Sequence, residues 1–303
     1  MRAWVLKLFW IGLWVLLAPG LSHAESRLAE TPDQEQILIQ LMSLKPELKG
    51  KRTSEQIQFF ANLFYQNQTP YLADPLGEAD HGDISTGPLY RFDGFDCTTF
   101  VETMMALSLA RDASEFRKLI NRIRYKTGVV SYFNRNHFPT LDWIPNNVRA
   151  GFVRDVTTAI ASPQESLTYI EMDNWYLKKG LTSSALPVKK SWARVRYIGK
   201  KDLLNEKVLS RIPSGAIFNV VRPAWDLKEA VGTALDVSHQ GFVVQENGET
   251  YIIHASNGRG RDGQDDSMRV KKDLLREYVE QVMMNSPTTA GMNFLTTVAQ
   301  PSK

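Results

Sequence analysis

The tightest constraint on how this chain can fold is an Asn-Gly dipeptide at positions 247–248. It divides two β-prone runs, 238–246 and 249–256. Asn-Gly is a preferred centre for a two-residue hairpin turn, because both central residues must take positive φ. A two-residue loop also sets the register. Glu246 then faces Glu249, Val243 faces Ile252, Gly241 faces His254 and His239 faces Ser256. Facing residues, and residues two apart on one strand, share a face of the sheet. His239 and His254 become diagonal cross-strand neighbours, close enough for their rings to touch. Gly241 opposite His254 leaves space for the imidazole.

The chain's one cysteine lies far upstream, in Arg91-Phe92-Asp93-Gly94-Phe95-Asp96-Cys97-Thr98-Thr99-Phe100-Val101-Glu102. Asp96 is a good helix N-cap, and 97–110 contains no Gly or Pro. Phe100, Met104 and Leu107 recur at helical spacing. Cys97 then falls in the first helical turn, where the helix dipole and free N–H groups favour a thiolate. Cys97 as nucleophile, His239 as base and His254 as the residue orienting that base would form a catalytic triad. Three other readings fit the same residues. The cysteine could be a small buried hydrophobe. The histidines could be ordinary sheet residues. The three together could bind zinc, although no known zinc-ligand spacing accompanies them.

Residues 1–24 read as a signal peptide. Arg2 and Lys7 precede the apolar run 8–18, which is too short to span a bilayer, and Ser22-His23-Ala24 suits cleavage after Ala24. Export to a bacterial periplasm is expected, with no lipid or membrane anchor after cleavage. In an oxidising compartment a lone cysteine cannot form an internal disulfide, so it is either buried or kept for reactivity. The mature chain would hold 34 basic and 33 acidic residues. That balance gives no reason to expect a nucleic-acid or membrane-surface partner.

Segment 33–44 reads as a packing helix, and a second is opened by a capping box from Thr53 to Gln56, with Ile57, Phe60, Ala61 and Phe64 marking its buried face. A loop rich in Gly, Asp and Pro follows Thr69-Pro70-Tyr71 and runs to Pro88. A further helix covers 113–125. The stretch 132–147 carries Tyr, Phe, His and Trp without helical or strand period, which suits either a ligand-facing loop or a self-packed one. His137 within it is a rival catalytic base. A strand over 191–198 places Trp192, Arg194 and Arg196 on one side between lysine pairs, as an edge strand does. Another strand covers 214–221.

Three blocks together carry a resemblance. Phe95-Asp96-Cys97-Thr98-Thr99-Phe100-Val101-Glu102, Ser238-His239-Gln240-Gly241-Phe242-Val243 and Ile253-His254-Ala255-Ser256 resemble the signature segments of NlpC-type, papain-like cell-wall hydrolases. Within that superfamily they are most similar to the N-acetylmuramoyl-L-alanine amidase-like branch. The resemblance implies an α+β fold with a papain-like core: N-terminal helices (25–68) packed on an antiparallel sheet, the cysteine at a helix N-terminus and the histidines on adjacent strands. One domain would span 25–303, with a substrate-side insertion at about 128–200. The resemblance also implies Cys97 as nucleophile, His239 as base, His254 as orienter and Tyr71 on the oxyanion side. It places Arg135, His137, Asp142 and Trp143 on the substrate side. Asp96 in this branch is a cap, or the recognition residue for a free amine if the enzyme is an endopeptidase. The implied partners are peptidoglycan fragments, the implied reaction is hydrolysis of the muramoyl–L-Ala amide, and no cofactor or metal is needed. A stem-peptide endopeptidase and a non-catalytic peptidoglycan-binding protein are the alternatives.

Overall fold

Four capped helices open the described chain. The computed structural model describes residues 33–73, 76–77, 89–180, 190–258 and 267–299; the expected signal peptide lies outside them. Helix α1 (Gln34–Ser43) starts where the Asp33 carboxylate accepts from the Glu35 N–H. Helix α2 (Thr53–Gln66) differs from expectation by one residue. Its cap is Arg52, whose N–H donates to the Glu55 carboxylate at 2.8 Å, while Gln56 accepts from Lys45 Nζ. A carboxylate is the stronger acceptor and takes the capping role from the Gln56 amide. Helix α3 (Cys97–Leu109) is closed by a reciprocal pair. Asp96 Oδ1 accepts from the Thr99 N–H at 2.6 Å, and Thr99 Oγ1 accepts from the Asp96 N–H at 3.0 Å. Helix α4 (Ala113–Arg124) is capped by Asp112.

Helix α3 is buried on nearly every side, with Phe100, Val101, Met104, Met105 and Leu107 all in the core. A helix apolar all round belongs in the centre of a packed domain, and α3 lies between α2, α4 and the sheet.

The sheet contains β1 (Val153–Asp155), β2 (Gln164–Glu171), β3 (Lys190–Gly199), β4 (Ile217–Asp226), β5 (Ala234–Glu246), β6 (Glu249–Ser256), β7 (Arg269–Leu274) and β8 (Gly291–Thr297). Its order is β2-β3-β8-β4-β5-β6-β7, with β1 also on β8, and every pairing is antiparallel. The β5–β6 hairpin has the register that the Asn247-Gly248 turn dictates. Both turn residues take positive φ, Val243 pairs with Ile252 and Glu246 with Glu249. One face of the hairpin, with Phe242, Val244 and Ile253, packs on α3. The other, with Val243 and Ile252, packs under the short helical segments Leu275–Tyr278 and Val279–Met283.

The described residues of 128–200 contribute three strands to this sheet, β1, β2 and β3. The strand around Trp192 is not an edge: β2 covers β3 and takes the edge itself. Trp192, Arg194 and Arg196 do share one exposed side.

A buried hydrogen-bond chain crosses the layers. Thr98 Oγ1 donates to Gln240 Oε1 (2.9 Å), Gln240 Nε2 to Asn219 Oδ1 (2.6 Å), and Asn219 Nδ2 to Asn293 Oδ1 (3.0 Å). Asn293 Nδ2 continues to Thr157 Oγ1 and the Arg196 carbonyl. The three amide side chains on β5, β4 and β8 are almost fully inaccessible, so each lost partner would leave a buried polar group unpaired. Asn219→Leu strands two of them, the Gln240 amide and the Asn293 carbonyl. Each unsatisfied group costs about 1–3 kcal/mol. Urea denaturation should therefore show a loss of about 2–6 kcal/mol, and a loss below that range would mean water replaces the missing partner.

Candidate active site

Three titratable side chains on adjacent strands form a continuous relay. His239 Nε2 lies 2.7 Å from His254 Nδ1, and His254 Nε2 lies 3.0 Å from Asp273 Oδ2. The two rings meet edge to face at 4.8 Å. Gly241 makes this possible, because a Cβ there would stand 2.7 Å from His254 Cβ and 2.7 Å from the Phe218 ring. The hydrogen-bond pattern assigns the protons. The Asp273 carboxylate accepts, so His254 Nε2 carries hydrogen and its Nδ1 accepts. His239 Nε2 then donates, leaving His239 Nδ1 with the free lone pair. Burial, and secondarily the neighbouring His254 imidazole, pushes the His239 pKa well below the ordinary imidazole range. At neutral pH this ring is a neutral base. Asp273 was not singled out from the sequence. It sits on β7 with no motif around it, and only the β6–β7 pairing brings it to His254.

Cys97 approaches this relay from the helix side. Residues alternate along β5, so Gln240 points to α3 while His239 and Gly241 point to the opposite face. The Gln240 N–H and the Thr98 hydroxyl both reach the Cys97 thiol. The thiol thus meets the sheet at the peptide joining His239 to Gln240. The side chain is half-buried. Burial, and secondarily the Asp96 carboxylate, pushes its pKa up to about 12, against the Gln240 and Thr98 hydrogen bonds that lower it. A helix N-terminus alone predicts a depressed value. Desolvation outweighs the dipole here, and the resting thiol is protonated.

The remaining predicted site residues divide by position. Tyr71 bridges in parallel to Phe95, two residues before the cysteine. Asp96 is spent on the α3 cap, and burial raises its pKa although Arg135 opposes this. Arg135 is itself buried, close to Asp96 and bonded to the Leu76 carbonyl. His137 does not join the relay. Its Nε2 bonds the Tyr132 carbonyl, and its ring lies among Tyr132, Trp175 and Tyr176. Asp142 and Trp143 are interior side chains. Asp142 accepts from the His137 and Phe138 N–H groups, and burial pushes its pKa up to about 6. Trp143 donates its indole N–H to Glu102, which also holds Arg124 in a fully buried ion pair.

A cleft of about 290 Å³ opens beside the relay, lined by His239, His254, Ser238, Ser256, Arg222 and Trp225 among others.

Antiparallel sheet, buried helix and a His–His–Asp relay at the peptide contacted by a helix-terminal cysteine together define an α+β protein built around a hydrolase-like site. The chain belongs to the N-acetylmuramoyl-L-alanine amidase-like family, whose model matches residues 61–283. Among solved structures it is similar to a Legionella pneumophila protein of the DUF1460 family, at 28% identity and a TM-score of 0.76, over 87% of this chain and 95% of that one. It is also similar to an N-acetylmuramoyl-L-alanine amidase from Bacteroides uniformis, at 25% identity and a TM-score of 0.61, over 81% of this chain and 99% of that one. No curated protein matches it.

Two outcomes follow from the relay. Asp273→Asn presents an amide donor to His254 Nε2 and should reverse both tautomers. Nitrogen-15 NMR of the rings should then show His239 Nδ1 protonated, where the unaltered protein shows it bare; an unchanged pattern would mean Asp273 does not set the tautomer. The second concerns pH. The unfolded imidazole takes up a proton near pH 6.5, whereas the folded His239 stays neutral to lower pH. Below about 6.5 the unfolded state binds more protons, so His239 costs stability as pH falls, at most about 1.4 kcal/mol per unit. Asp142 and Asp236, both pushed up to about 6 by burial, act in the opposite sense between about pH 4 and 6. The comparison to make is therefore the unaltered protein against His239→Asn. Its stability difference should shrink as pH drops below 6.5, and a pH-independent difference would contradict the buried neutral ring.

Proposed function

We propose that this protein is a periplasmic cysteine amidase of papain-like type that hydrolyses the amide joining N-acetylmuramic acid to L-Ala of the peptidoglycan stem peptide, with soluble anhydro-muropeptides as substrate. The observation that carries the reading is the His239–His254–Asp273 relay, whose bare nitrogen belongs to the strand residue next to the one contacted by Cys97. Family membership supplies the bond class.

The resting groups are a neutral thiol and a neutral imidazole; where β5 and β6 part, beyond the Phe242–Ile253 pair, the thiol proton would pass to His239 Nδ1 as sulfur attacks the lactyl carbonyl. The His254–Asp273 hydrogen bonds stabilise the imidazolium that forms. Backbone N–H groups at the start of α3, with Tyr71 alongside, receive the oxyanion. Collapse breaks the C–N bond, and His239 returns its proton to the departing L-Ala amine. Water, deprotonated by His239, then hydrolyses the thioester. This releases the sugar acid and regenerates the thiol, with no cofactor required. Asp96 Oδ1 is engaged in the α3 cap, which fits the reading of this residue as a cap.

Mass spectrometry of residues 25–303 incubated with muropeptides, with and without the anhydro end, tests this. The expected result is loss of the whole stem peptide from the sugar, faster on the anhydro form and absent in Cys97→Ala. Cleavage inside the peptide would move the enzyme to the endopeptidase class. Failure to turn over any muropeptide, together with slow alkylation of Cys97 by iodoacetamide, would return the protein to a binding role.

A further inference from the structure

Strand β4 breaks its pairing with β5 beside the cleft. Val221 pairs with Val237, yet the next pair is Trp225 with Leu235. Four steps on β4 thus oppose two on β5, and the extra residues bulge out. At the bulge Ala224 takes φ +46°, a left-handed conformation that a non-glycine residue adopts at a cost on the order of 1 kcal/mol. Its N–H is held by the Thr168 hydroxyl at 3.1 Å. Bulges next to active sites commonly re-aim side chains. Here the effect is to bring Arg222 and Trp225 together on the cleft wall that also holds His239 and His254.

The guanidinium carbon of Arg222 stands 3.7 Å from the Trp225 ring centre, and its Nε bonds Thr288 Oγ1 at 2.9 Å. Stacking and this hydroxyl fix the plane of the guanidinium while leaving donors on its other edge. Among the described residues no carboxylate pairs with Arg222, and no acidic side chain lines the cleft. Burial lowers the Arg222 pKa from a very high value, and a guanidinium keeps its charge in proteins. Among the described residues the cleft therefore presents a planar, preorganised cation with no carboxylate partner, in a lining of hydroxyl, amide and imidazole groups.

We propose that the Arg222–Trp225 pair is a carboxylate-binding subsite that reads a free carboxylate on the peptide portion of the substrate. This rests on the amidase reading above for the choice of ligand. In a muramoyl peptide the sugar's lactyl carboxyl is tied up in the amide to be cleaved, so the remaining negative charge lies on the peptide. A fixed guanidinium prefers a planar carboxylate, which it can hold through two parallel hydrogen bonds. The clamp would thus set which way round the substrate lies, with peptide over the β4 bulge.

Calorimetry on Cys97→Ala, which cannot turn substrate over, tests the subsite apart from the reaction. The probes are N-acetylmuramoyl-L-alanyl-D-glutamate and its analogue with both glutamate carboxyls as amides. The acid should bind about 10- to 100-fold tighter than the diamide, the range expected for a charge-assisted hydrogen bond. Adding Arg222→Gln should erase that preference, and Arg222→Lys should keep part of it; thermal unfolding checks that each variant is folded. Equal affinity for the two probes, a preference that survives in the folded Arg222→Gln protein, or binding of neither probe would overturn the proposal. If the unaltered enzyme cleaves no muropeptide while the calorimetric preference holds, the amidase reading fails and the subsite stands.

Discussion

The hydrogen bond from Thr98 to Gln240 is the contact on which the site depends. Thr98 follows the cysteine, and Gln240 follows the first histidine. Joining them brings the N-terminus of α3 to one point on β5, and the Asn219 and Asn293 amides extend that anchor across the sheet. Apolar packing alone would let a helix slide on a sheet by a fraction of a turn at little cost. A buried amide chain does not allow this, since any slip leaves inaccessible donors and acceptors unpaired. Strand alternation then does the rest. With Gln240 directed at α3, His239 must face away, toward His254 and the cleft.

Burial has opposite effects on the Cys97 thiol and the His239 imidazole. The thiol is harder to ionise than a free cysteine and the imidazole harder to protonate than a free histidine. A preformed thiolate–imidazolium pair is disfavoured at rest on both counts. On the proposed mechanism proton transfer would accompany attack, as the Gln240 N–H strengthens its bond to the sulfur on which charge develops while the Thr98 proton stays with Gln240. A thiol protonated at rest is also oxidised less readily than a thiolate.

What the sequence made legible was local. Asn247-Gly248 set a register because its turn admits few conformations, and from that register the two histidines met. Asp96 announced the start of α3, and the apolar spacing in 33–66 announced two helices. The missed features are long-range or consume polarity in the interior. Asp273 lies on a strand whose partner cannot be inferred from its own residues. Gln240, Asn219 and Asn293 look like solvent-facing amides until the sheet order buries them. The aperiodic run 132–147 left a ligand-facing and a self-packed loop both open; in the structure Tyr132 and Phe138 pack on Trp175, and Trp143 and Asp142 lie inside, bonded to Glu102 and two backbone N–H groups.

The arrangement of donors across the sheet adds a reason for the strand order. β5 carries His239, β6 His254 and β7 Asp273, each one strand further from α3's anchor, while β4 lies on the other flank of β5 and carries the bulge with Arg222. Asp273 thus stands behind His254 on a strand that also carries Arg269, Lys271 and Lys272, and Arg222 stands at the cleft wall. A positive charge on His239 would be stabilised by Asp273 through His254 and opposed by Arg222, so the relay has to supply the stabilisation. An anionic ligand group at Arg222 would relieve that repulsion. A fixed cation at one end of the cleft can therefore orient a substrate with one charged end without placing any charge on the bond that breaks.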